Sequence, residues 1–97
     1  MISAEYLEDI RQALRLKSTS FNREIEDLIE AGRLDLITSG IKPAMANDES
    51  EPLIKRAIIL YSQIHFGFEQ DERNANRLER LYSSLVIHLG LASEYYE

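Results

Sequence analysis

His65 and Glu69 stand four residues apart, a spacing that on a helix brings an imidazole nitrogen and a carboxylate oxygen to one side. Two such atoms are half of a metal site. No third ligand is in view, so the expected role of His65 is a boundary histidine at the edge of a core. Glu24, Glu26, Asp27 and Glu30 crowd one stretch, and paired carboxylates can do acid–base work. These four fall mostly off the apolar stripe of their own segment, so they are expected to be solvated. His88 comes late in its segment, where a helix end favours positive charge. Arg73, Arg77 and Arg80 are the one hint of a basic patch, read as a solvated helix face. There is no glycine-rich phosphate loop, no G-x-S-x-G and no H-E-x-x-H. The expectation is therefore no enzyme: no catalytic residue, no cofactor and no metal.

The totals narrow the remaining classes. With 97 residues the chain is expected to form one domain, over 1–97, with a modest core and a small stability margin that oligomerisation would raise. It has no cysteine, hence no disulfide, thiolate metal site or Cys nucleophile. The first ten residues carry no basic n-region and no apolar run, so no signal peptide is expected. No apolar stretch reaches the ~18 residues of a membrane span. A formal net charge of −6 makes duplex DNA an unpromising ligand, because affinity there comes largely from neutralising phosphates.

The elements that must position these residues read as helices throughout. Tyr6, Leu7, Ile10, Ala13 and Leu14 recur at helical spacing and predict a first helix from 3 or 4 to 16. The turn that follows ends in Ser20, an expected N-cap. A second helix over 21–38 carries Phe21, Ile25, Leu28, Ile29 and Leu36. Gly32 in its middle costs about 1 kcal/mol against alanine, which predicts a close approach by another helix. Gly40 and Pro43 mark its end. Residues 41–50 form the one long connection, and Asp48, Glu49 and Glu51 ahead of Pro52 are expected to cap the third helix.

That third helix, 52–68, is the most apolar. Leu53, Ile54, Ala57, Ile58, Leu60, Tyr61, Ile64 and Phe68 form its main stripe, with Lys55, Arg56, Ser62 and Gln63 opposite and Gly67 near its end. Leu53, Ala57, Leu60, Tyr61 and Ile64 are expected to be almost fully buried. A fourth helix follows a cap at Asp71 or Asn74. It carries Leu78, Leu81, Tyr82, Leu85 and Leu89 and ends at Gly90, leaving a short tail over 91–97. The fold class is all-α: a small bundle of about four helices, a long loop between the second and third, and a short C-terminal tail. The turn between the first two helices lacks the usual glycine and leads into acids, which disfavours a helix-turn-helix DNA reader.

Several apolar residues do not belong to these stripes. Ile59 and Phe66 stand together among the polar residues of the third helix. Leu34, Ile37 and Ile87 fall off their stripes as well, and Tyr95 and Tyr96 occupy the tail. Tyrosine buries area at an interface at low entropy cost, and the equal alternative for the two tail tyrosines is that they fold back on the core of their own subunit. These seven residues are the candidate contacts with other subunits, and they point to assembly rather than chemistry.

Taken in order, Leu7-x-x-Ile10-Arg11-x-x-Leu14, the run Ile25-Glu26-Asp27-Leu28-Ile29-Glu30-Ala31, the run from Pro52 to Tyr61 and His65-Phe66-Gly67-Phe68 resemble the small head–tail connector (adaptor, DNA-packaging) proteins of long-tailed bacteriophages and prophages. The likeness spans roughly residues 2–89 and lies in order, spacing and length. It implies a viral structural protein in the virion neck, assembled in the bacterial host cytoplasm. Such a subunit forms a homo-oligomeric ring on the portal protein and docks a neck or tail completion protein. It extends a channel that DNA traverses without specific binding, and no membrane is involved. The alternative from another class is a small acidic helical regulator or inhibitor of a basic protein partner. A connector should form rings or bind portal, whereas a regulator should stay small.

Overall fold

The central element of the chain is its most apolar helix, and the rest of the architecture follows from what surrounds it. The computed structural model describes residues 2–66 and 71–96. Five helices follow in order: α1 (Ala4–Ala13), α2 (Asn22–Thr38), α3 (Pro43–Ala46), α4 (Pro52–His65) and α5 (Glu72–Ser93). Among the described residues there is no strand. Helix α4 packs against α1, α2 and α5, and so joins α2 to α5.

Local chemistry sets most of the helix ends. The Ser3 hydroxyl accepts the Tyr6 N–H at 3.1 Å and starts α1. That helix closes at Ala13, three residues before the expected end, because Arg15 turns left-handed at φ +60°. The Leu16 N–H then returns to the Arg11 carbonyl at 3.2 Å, closing the helix end. Ser20 does not cap α2. Ser18 accepts the Ser20 N–H and caps a single 3-10 turn, Thr19–Phe21, from which α2 continues. Gly40 ends α2 at φ +105°, a conformation open to glycine without strain.

The loop after α2 holds the short α3, which the sequence pattern did not reveal; its Met45 and Ala46 are buried. Glu51 occupies the N-cap position of α4 but makes no side-chain cap. Asp48 accepts instead from the Ser50 N–H and hydroxyl, at 2.9 and 2.6 Å. Glu49 reaches Ser3 and Arg33. The capping role expected of these three acids is therefore corrected: Asp48 and Glu49 hold the loop rather than the helix, and Glu51 makes no side-chain cap. Asp71 does cap α5, accepting the Asn74 N–H at 2.7 Å. Gly90 does not stop α5, which runs on to Ser93.

The interior is built from Tyr6 and Ile10 of α1, Ile25, Ile29 and Leu36 of α2, Ile54, Ala57 and Ile58 of α4, and Leu89 of α5. Each fully buried Ile or Leu stabilises the fold by about 1.5–3 kcal/mol. Gly32 faces α4 as its spacing predicts. A Cβ there would lie 3.0 Å from Ile58 Cδ1 and 3.2 Å from the Tyr61 ring. Ala57 and Leu60 are buried as expected, but Tyr61 and Ile64 are only half-buried, and Leu53 and Leu81 are exposed. Ser62, assigned to the polar face, is fully buried. The burial on α4 is rotated toward Ile54, Ile58 and Ser62 because its neighbours approach from more than one side. Gly67 and Phe68 lie outside the described residues.

Candidate assembly surface

Of the seven residues proposed from sequence as contacts with other subunits, three are freely presented. Leu34 on α2 is 64% exposed and Ile87 on α5 is 69% exposed, while Tyr95 stands out beyond the end of α5. Leu91, one turn past Ile87, is as exposed as Leu34 and was missed, because the helix was expected to have ended at Gly90. Its signal was an i, i+4 spacing to Ile87 and Tyr95 that a longer helix would have revealed.

The other four are used within the subunit. Phe66 is 8% exposed and meets the Phe21 ring edge-on, with centroids 5.5 Å apart. Ile59 and Ile37 are half-buried against the core. The reading of Ile59 and Phe66 as a free second stripe is thus corrected. The 3-10 turn carries Phe21 to Phe66, and the core meets Ile59. Tyr96 is half-buried, and its hydroxyl donates to Asp48. Close to it, the Ser93 hydroxyl accepts the Lys42 N–H at 2.8 Å. The C-terminal residues therefore fold back on the loop between α2 and α4, and that contact carries α5 past Gly90.

The charged side chains divide into two groups. The first is a clasp around Arg33, which is 5% exposed in the middle of α2. Its guanidinium pairs with Glu49 at 3.2 Å and lies over the Tyr6 ring, 5.4 Å from the centroid. Glu49 also accepts from the Ser3 N–H at 3.0 Å and hydroxyl at 2.6 Å. Burial alone would raise the Glu49 carboxyl, but the Ser3 donors and Arg33 together hold it below the usual carboxylate range. Burial pushes the Tyr6 phenol up to about 12, with Arg33 pulling the other way. Lys55 reaches Asp9 at 2.6 Å and also lies over the Tyr6 ring, 5.4 Å from its centroid. This clasp ties α1, α2, α4 and their loop together. Sequence reasoning gave Arg33 no role.

The second group lies on the outer faces. Glu24, Asp27 and Glu30 line the exposed side of α2, and Arg73, Arg77 and Arg80 line the exposed side of α5. Among the described residues, Glu24, Asp27, Arg73, Arg77 and Arg80 enter no ion pair. Each charged stretch continues along its helix into an exposed apolar residue, Leu34 on α2 and Ile87 on α5.

His65 stacks against Tyr61, with ring centroids 4.3 Å apart, while Glu69 lies outside the described residues. His88 is exposed on α5. Among the described residues no group of three His, Cys, Asp or Glu side chains could hold a metal ion, and no helix is long and apolar enough to cross a membrane.

No curated protein and no solved structure matches the chain. A family model described as phage connector protein matches residues 6–96, from Tyr6 in the clasp to Tyr96 on the loop. That span takes in α1 from Tyr6 onward, the four helices that follow it and both outer faces, and the chain belongs to the phage connector protein family.

Proposed function

We infer that the chain is a head–tail connector subunit of the phage neck, which assembles as a ring under the portal protein. The observation that carries this reading is the family match over residues 6–96. Three features support it. Exposed Leu34, Ile87, Leu91 and Tyr95 supply apolar area suited to burial by neighbours. The acidic balance, −6 overall, lets DNA pass without adhering, since like charge disfavours binding. The clasp and the docked C-terminal residues fasten the loop to the helices of its own subunit and leave the outer-face charges to neighbours. The ring extends the DNA channel and offers its far side to the neck or tail completion protein. Its work is positional, and its side chains perform no covalent step.

Electron microscopy of the purified chain mixed with portal protein tests this reading. Rings on the portal are the expected result. A chain that stays small and leaves the portal bare, while binding a basic protein, would replace it with the regulator reading.

A further inference from the structure

The outer faces of α2 and α5 match each other residue by residue. On α2 the exposed positions run Glu24, Asp27, Ala31, Leu34. On α5 they run Arg77, Arg80, Ser84, Ile87. Both series step by three, four and three residues, so each keeps to one side of its helix. From the first charge to the large apolar residue is ten residues on both helices, about 15 Å of axis. Chemically they read acid, acid, small, apolar against base, base, small, apolar. An open groove borders Arg80, Ser84 and Ile87, and another borders Ala31 and Leu34.

We propose that the outer face of α5 in one copy of this chain packs, in parallel, on the outer face of α2 in the next copy. Arg77 then meets Glu24, Arg80 meets Asp27, Ser84 lies on Ala31 and Ile87 lies on Leu34. The charge pattern selects this occupant. Two α5 faces in parallel would oppose arginine to arginine, two α2 faces in parallel would oppose carboxylates, and any antiparallel pairing would set the charges against the small and apolar residues. Only the mixed pairing in parallel satisfies both signs and brings the apolar residues together. The small pair, Ser84 on Ala31, lets the helix axes approach closely. Such a contact is heterologous: every copy offers one face of each kind, so copies add head to tail and close into a ring when the rotation between them permits. The inference rests on the connector reading and specifies the contact that builds the ring.

The test uses full-length chains, analysed by sedimentation velocity and electron microscopy, alone and with portal protein. One variant combines Arg77→Glu with Arg80→Glu, a second combines Glu24→Arg with Asp27→Arg, and a third carries all four changes. Each two-residue variant should keep its circular dichroism and lose at least nine-tenths of the wild-type multimer. The four-residue variant should recover it. Normal assembly of the two-residue variants, or a folded four-residue variant that fails to assemble, would overturn the pairing while leaving the ring intact. A wild-type chain that forms no multimer with or without portal would remove the ring reading and the pairing together. Should a charge variant unfold, an equimolar mixture of Ala31→Cys and Ser84→Cys chains serves instead, since the native chain has no cysteine. Under mild oxidation the assembled mixture should yield a disulfide-linked pair containing one of each; its absence overturns the pairing.

Discussion

The arginine on the inner side of α2 and the arginines on the outer side of α5 have the same chemistry and opposite circumstances. Arg33 is buried, paired with Glu49 and stacked over Tyr6. Arg73, Arg77 and Arg80 are exposed and without an ion pair among the described residues. A charge withdrawn from water needs its partner in place, and removing one partner leaves the other stranded. A charge left in water contributes little to its own fold. The difference separates residues that hold the subunit from residues available to a neighbour.

The largest expected effect lies in the interior that both regions share. Ile58→Ala should lower unfolding free energy by about 2–5 kcal/mol, because Ile58 is fully buried opposite Gly32. Urea titration followed by circular dichroism measures it. A loss under 1 kcal/mol would mean that α2 and α4 close over the missing atoms, and that the packing of Ile58 against Gly32 is softer than its burial suggests.

Next comes the clasp. Arg33→Ala should cost about 1–3 kcal/mol, since it removes a charge-assisted hydrogen bond and leaves Glu49 facing the loop without its cation. The same titration should show Arg80→Glu changing stability by no more than about 0.5 kcal/mol, as surface changes usually do. Equal costs at the two positions would erase the distinction between them.

Acid should sharpen the comparison further. Glu49 and Asp48 have folded-state values lowered from the ordinary carboxylate range. For Asp48 the causes are the Ser50 hydroxyl, the Tyr96 hydroxyl and the Ser50 N–H. A lowered folded value means that stability is fully present above the unfolded value of about 4 and is lost as pH falls through the folded one. Melting temperature should therefore drop below about pH 4, and Glu49→Gln should flatten part of that drop. A Glu49→Gln curve parallel to wild type would show that the clasp does not select the ionised form.

Tyr6 gives the opposite sign and the smallest effect under ordinary conditions. Its folded value is raised to about 12, so its contribution is complete below the unfolded value of about 10 and is lost as pH rises toward 12. Tyr6→Phe should reduce the alkaline loss of melting temperature, because it removes the phenol whose ionisation causes that loss.

Residue types and spacing were enough for the all-α class, the start of α4 at Pro52, the stop at Gly40 and the close helix approach at Gly32, and they narrowed the α5 cap to Asp71 or Asn74, of which the structure uses Asp71. Each depends on backbone conformation or helical periodicity, which neighbours in sequence dictate. Residue spacing also placed Leu34 and Ile87 off their stripes, where both prove exposed. Only the tertiary structure decided the fates of Phe66, Ser62, Arg33 and Leu91. Periodicity assigns each side chain an angle around its own axis but carries nothing about how many helices approach, or from where. Phe66 is covered because a 3-10 turn brings Phe21 to it. Ser62 is enclosed because α4 is packed on several sides. Arg33 is buried because a loop sixteen residues on supplies Glu49. Leu91 is helical because Ser93 and Tyr96 are anchored to residues about fifty positions earlier, a long-range contact strong enough to override a local glycine signal.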